Sequence, residues 1–161
     1  MIEVIYRDEN FLILNKPAGV LVHHIRDKEL RAGETTVADW LLKNYPEVRA
    51  VGDDPEQRPG IVHRLDKDTS GVLAVARNQF AFLYLKKLFQ LRQVKKTYCA
   101  LVYGALKEKQ GTINRPIGII SGSIKRTIHI GHARLPKEAI TKYKVTKILR
   151  FAQNEIGRAH V

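Results

Sequence analysis

Short apolar runs punctuated by polar and turn-forming residues set the pattern of this chain. Residues 2–8 and 11–15 form two such runs, separated by the turn-like Asp8-Glu9-Asn10, and predict two short strands. Lys16-Pro17-Ala18-Gly19 breaks the pattern before a further apolar stretch at 20–22. The period then changes. Val37, Trp40, Leu41 and Tyr45 recur at helical spacing, with Thr36 placed to cap the first turn and Pro46 to stop the last. Residues 46–60 hold three prolines and two glycines and predict a loop. Apolar, β-branched segments at 61–63 and 72–77 predict strands on either side of a polar turn. Asn78 is a good N-cap for a helix over 79–91, whose Lys86, Lys87, Gln90 and Gln93 give it one wet, basic face. A strand with partial alternation is expected over 95–103, and β-structure broken by Gly and Pro over 112–117, 123–130 and 139–149. No internal repeat or low-complexity tract interrupts this order. The pattern is α+β: a mostly antiparallel mixed sheet with two flanking helices.

The length of 161 residues predicts one domain, and 44% hydrophobic against 27% charged residues fits a soluble globular chain. The single cysteine, Cys99, has no internal partner for a disulfide, so a reducing compartment is expected. The opening MIEVIYRDENFLIL carries acids within its apolar stretch and no basic leader, and no run reaches bilayer length, so cytoplasmic location without membrane association is expected. The placement of charge changes the picture more. Residues 1–85 carry 11 basic and 13 acidic side chains, whereas 86–161 carry 17 basic and only 3 acidic ones. A half-chain balance of +14 favours a polyanionic partner, and nucleic acid before membrane, because that half shows no lipid-facing amphipathic helix.

Candidate chemistry concentrates in residues 59–77, PGIVHRLDKDTSGVLAVAR, where Asp66 and Asp68 share a short polar run with His63 and Arg64. Asp66 to Gly71 resembles the first half of a calcium loop, but position 12, which must supply a bidentate glutamate, is Arg77. Asp68-Thr69-Ser70 hints at an aspartic protease, yet no second such turn is present to share the proton. A plain polar turn, with Gly71 taking a positive φ, fits these six residues but leaves His63 and Arg64 without a purpose.

Taken whole, Gly60-Ile61-Val62-His63-Arg64-Leu65-Asp66, then Thr69-Ser70-Gly71-Val72-Leu73, resembles the signature of the RluA-type pseudouridine synthases at every defined position. FLILNKPAG (11–19) resembles the opening segment of that family, KKTYCALVYG (95–104) the segment with its active-site tyrosine, and KEAITKYKV (137–145) the strand that follows. The resemblance covers roughly residues 2–149, with no separate amino-terminal RNA-binding domain expected before it.

The resemblance implies isomerisation of uridine to pseudouridine in ribosomal or transfer RNA by a monomeric catalytic domain spanning 1–154. The glycosidic carbon–nitrogen bond is cut and the uracil is rejoined through carbon 5, a change that needs no redox partner, cofactor or metal. Asp66 is implied as the catalytic carboxylate and Tyr98 as the second catalytic residue, stacking on the uracil or shuttling a proton. With a free pKa of about 3.9, an aspartate is ionised at neutral pH and ready to act as nucleophile or base. Arg64, His63, Leu65, Thr69, Lys95 and Lys96 are implied at the substrate-binding surface. Arg64 would replace the base that must leave the stack, and His63 would act as a hydrogen-bonding support rather than a catalyst. Lys86, Lys87, Lys125 and Arg126 join Lys95 and Lys96 as phosphate contacts that position RNA without reading it. His23-His24 and His129-x-x-His132 lack carboxylate or cysteine company and read as surface residues rather than metal ligands.

The pattern departs from the family at its end. A Gly-Arg-Thr-His-Gln-Ile-Arg-like segment, whose basic residue would pair with the aspartate, is only echoed by Gly157-Arg158-Ala159-His160. Residues 155–161 are therefore expected to be a non-native or truncated tail, and the fold an incomplete version of the family sheet, poorly stable and inactive as it stands. A non-catalytic, basic RNA-binding protein on the same scaffold is the alternative.

Overall fold

Along β2 (Phe11–Lys16) every second side chain is buried, and this two-residue period builds the first sheet of the structure, a computed structural model. It describes residues 1–24, 33–123, 125–129, 131 and 133–147. The chain divides into two compact units, Met1–Thr97 and Tyr98–Val161.

In the first unit β1 (Glu3–Arg7) pairs antiparallel with β2, which pairs antiparallel with β3 (Gly71–Ala76). β2 is thus central, and its Leu12 and Leu14 face the β3 positions Val75 and Leu73 in register. All four side chains are fully buried. Helix α1 (Val37–Asn44) lays Val37, Ala38 and Leu41 on the same cluster. Its start is a reciprocal capping box: the Thr36 hydroxyl accepts from Asp39 N–H, and the Asp39 carboxylate accepts from Thr36 N–H. A short 3-10 helix, Pro46–Ala50, lies within the expected loop. Asn78 Oδ1 accepts from Ala81 N–H and opens α2 (Gln79–Gln90), which buries Ala81 and Phe82 beside Val51 and Ala76.

The second unit is β-rich. β4 (Gln110–Asn114) pairs with β8 (Ile140–Lys144) as a two-stranded ribbon. β5 (Ile117–Ile120) lies between β6 (Arg126–Thr127) and β7 (Ala133–Lys137) in a three-stranded sheet. Every pairing between described strands is antiparallel, in keeping with the α+β expectation.

Four sequence expectations are corrected. The strand over 95–103 does not form; those residues join no ladder among the described strands, and Tyr98, Leu101, Val102 and Tyr103 are exposed. Apolar propensity alone makes no strand, because the element exists through its ladder bonds. Segment 61–63 makes a single bridge, Ile61 to Val75, and then leaves the sheet. The run at 112–117 is split between β4 and β5, which Arg115 and Pro116 separate. β7, whose interior holds Pro136, is missed by a reading that treats proline as a breaker; it is an edge strand, where the missing N–H costs least. His132, residues 148–149 of the last expected β segment and the tail 155–161 lie outside the described residues.

Candidate active site

The outer edge of β3 carries the loop that holds the candidate residues. Ala76 N–H donates to Gly60 O at 2.9 Å, Ile61 bridges Val75, and Ala74 N–H donates to His63 Nε2 at 2.9 Å. Ala74 and Ala76 are two residues apart, so their N–H groups point to the same edge. The first takes a side-chain acceptor where the second takes a carbonyl. The imidazole thereby ends the strand pairing and frees the chain to turn outward. Gly60 makes the approach possible: its φ is +67°, and a Cβ there would lie 2.2 Å from Ala76 O.

Beyond His63 the side chains alternate. Arg64 and Asp66 are exposed, while Leu65 between them is buried in the main core cluster and anchors the loop. The core position of Leu65 differs from the substrate-facing one implied by the signature. Thr69 N–H donates to Asp66 O at 3.1 Å and closes a turn, with Thr69 half-buried. Gly71, at φ +129°, then leads into β3.

A residue that falls within the expected breaker holds this turn in place. Lys16 is the last residue of β2, on the core face with Leu12 and Leu14, and is fully buried. Its Nζ donates to Pro17 O at 2.9 Å, Val20 O at 2.7 Å and Lys67 O at 3.0 Å. Lys67 O also accepts from Gly19 N–H at 2.8 Å, so the peptide between Lys67 and Asp68, one residue past Asp66, is fastened twice to the 16–20 segment. Three carbonyl acceptors satisfy the donors of a buried ammonium. Burial pulls the Lys16 pKa below the usual lysine value, and the carboxylates of Asp68 and Asp66 oppose that shift. The signal was present in the strand period, which puts position 16 on the face of 12 and 14.

His63 is held on its other side by α2, its ring stacked on Phe89 with centroids 4.6 Å apart and planes at 17°. Burial, with the positive charge of Lys96, lowers its pKa to about 4. A backbone N–H can only donate, so Nε2 must keep its lone pair and the imidazole is neutral at pH 7. The Asp66 side chain is 86% exposed and Arg64 Nη2 lies 3.8 Å from its Oδ1. A pair this long and wet contributes at most about 1 kcal/mol, leaving the guanidinium free to move. Lys95 and Lys96 are exposed at the end of the first unit. Tyr98, 60% exposed, belongs to the second unit, with Lys125 and Arg126, both also exposed. The arrangement offers an open carboxylate on a loop backed by hydrogen bonds, flanked by an exposed, loosely paired guanidinium.

The chain matches the RNA pseudouridylate synthase family over residues 10–157. It is 35% identical to an uncharacterised RNA pseudouridine synthase of Synechocystis over 99% of this chain and 48% of that protein. It is also 35% identical to the ribosomal large subunit pseudouridine synthase D of Buchnera aphidicola, over the same shares. The solved structure of human RNA pseudouridylate synthase domain containing 1 superposes with a TM-score of 0.65 at 28% identity, covering 88% of this chain and 51% of that one. The chain spans about half the length of the curated relatives it matches. On the match across nearly its whole length, this chain belongs to the RNA pseudouridylate synthase family.

Proposed function

We propose that this chain supplies the catalytic aspartate of an RNA pseudouridine synthase acting on uridine in ribosomal RNA. The observation that carries the reading is the presentation of Asp66, an exposed carboxylate on a loop fixed from behind by Lys16 and His63. Rigid backing matters because a reacting group must be held close to its productive geometry. The reaction breaks the bond between uracil nitrogen 1 and ribose carbon 1′, turns the base, and joins carbon 5 to the same ribose carbon. The hydrogen on carbon 5 leaves as a proton, nitrogen 1 gains one, and no electrons are exchanged with a partner. Asp66, as nucleophile or base, serves this exchange with no redox cofactor. A stacked base must first be extruded, and in this reading Arg64, only loosely paired with Asp66, fills the gap. Tyr98 is the second catalytic group in this reading, Thr69, Lys95 and Lys96 lie at the RNA-facing surface, and the enzyme works as a cytoplasmic monomer. The ribosomal substrate follows the name of the Buchnera relative.

Isomerisation displaces the carbon 5 hydrogen, so RNA labelled with tritium at uracil carbon 5 reports it directly. A protein in which residues 1–147 are joined to the carboxy-terminal half of the Synechocystis relative is expected to release tritium from ribosomal RNA and leave pseudouridine behind. Bound RNA with no release would contradict the reading.

A further inference from the structure

The second unit concentrates positive charge without neutralising it. Its described residues include ten lysines and arginines and only two acids, Glu108 and Glu138. All six close contacts between basic and acidic side chains among the described residues lie in the first unit. On the ribbon of β4 and β8 this charge is ordered. Gln110 pairs with Lys144 and Thr112 with Lys142, so both lysines share one face and each sits opposite an uncharged polar residue. Gln110, Thr112, Lys142 and Lys144 are all exposed. Two lysines two residues apart on a strand are separated by about 6.7 Å. That is the scale of the step between successive phosphates along a strand of RNA.

The opposite face fixes which way the lysines point. Gly111 pairs with Tyr143, and a Cβ at Gly111 would meet the Tyr143 ring and hydroxyl at 2.9 Å. The ring therefore lies across the ribbon against the bare glycine, half-buried, and pins the register. A slip of one residue would turn the lysines to the other face. Lys109 extends that other face, since Val145 N–H donates to Lys109 O one pair beyond the strand.

We propose that the Gln110–Thr112–Lys142–Lys144 face is an RNA-backbone docking surface, in which Lys142 and Lys144 touch neighbouring phosphates. The proposal rests on the reading of the protein as an enzyme acting on RNA. It assigns a binding role to residues outside the catalytic loop, one that holds RNA of any sequence.

The test is the salt dependence of binding of the full chain to a fluorescent uridine-containing stem-loop RNA. Removing one phosphate-binding lysine lowers the slope of log affinity against log salt by about one. Lys142→Gln with Lys144→Gln is expected to lower the slope by about two. Binding to RNAs of different sequence should weaken alike. Lys142→Arg with Lys144→Arg keeps the parent slope, which excludes misfolding as the cause. Lys109→Gln, which removes a like charge from the opposite face, leaves the slope as it was. An unchanged slope in the double Gln variant, or an equal drop with Lys109→Gln, overturns the docking face. If the tritium assay is positive in that case, the enzymatic reading stands without the ribbon. A parent chain that fails to bind RNA overturns the docking face, while tritium release by the joined protein still decides the enzymatic reading.

Discussion

Beside the buried Leu65, Lys16 and His63 hold the loop that carries Asp66, and they act differently. Lys16→Met removes the donor shared by Pro17, Val20 and Lys67 carbonyls while keeping the aliphatic bulk. With partly buried carbonyls left short of a donor, a loss of about 1–3 kcal/mol is expected, read as a lower urea midpoint. In the joined protein, kcat should fall more than RNA affinity, because of its two ties to the 16–20 segment Lys67 O keeps only the one from Gly19 N–H. An unchanged midpoint would show that Lys16 does not hold the turn. For His63 the consequence is a pH dependence. Its folded pKa of about 4 lies below the value of about 6.5 in an unfolded chain. Its contribution is therefore complete above pH 6.5 and is lost as pH falls toward 4, with a slope of at most about 1.4 kcal/mol per pH unit. His63→Gln, which keeps an acceptor for Ala74 N–H but does not titrate, should flatten that segment of the stability curve. An equally steep curve in the variant would assign the dependence to other groups. At this scale the chemistry-bearing motif was legible, because His63, Arg64 and Asp66 are nearly contiguous. Lys16 was missed because a Lys-Pro-Ala-Gly string reads as a turn, although the burial of Leu12 and Leu14 already set its direction.

Local signals predicted the helices well, and the sheets only where both partner strands were apparent. Thr36 and Asn78 each accept a first-turn N–H as their residue types imply, so both helix starts follow from the sequence. Strand 95–103 failed because pairing is not a local property. Glycines show the same contrast. Gly19 and Gly60 both have positive φ, yet a Cβ at Gly19 meets nothing within 4 Å while one at Gly60 strikes Ala76 O at 2.2 Å. Gly19→Ala is expected to cost about 1–2 kcal/mol, the backbone penalty alone. Gly60→Ala adds a clash with the backbone of β3 and should cost clearly more, with loss of the Gly60 to Ala76 bond. Thermal unfolding of the two variants side by side decides this, and equal melting would mean that residues 59–63 yield without cost to the sheet.

Over the whole molecule, charge is divided as the sequence shows it, with a near-neutral first half and a second half at +14. On the proposed function that division has a purpose, since an RNA substrate would be held mainly by sequence-independent phosphate contacts. Among the described residues no helix is long and apolar enough to cross a membrane. The proposed function makes catalysis and binding separable, with chemistry assigned to the Asp66 loop and much of the affinity elsewhere. The most direct measurement exploits this separation: tritium release from carbon 5-labelled RNA by the joined protein and by its Asp66→Asn variant, with RNA affinity measured in parallel. The amide keeps the shape of the carboxylate and loses its charge and nucleophilicity. Release by the variant should fall to background at saturating RNA while affinity stays within a few-fold. Release at the parent rate would remove Asp66 from the reaction and contradict the account.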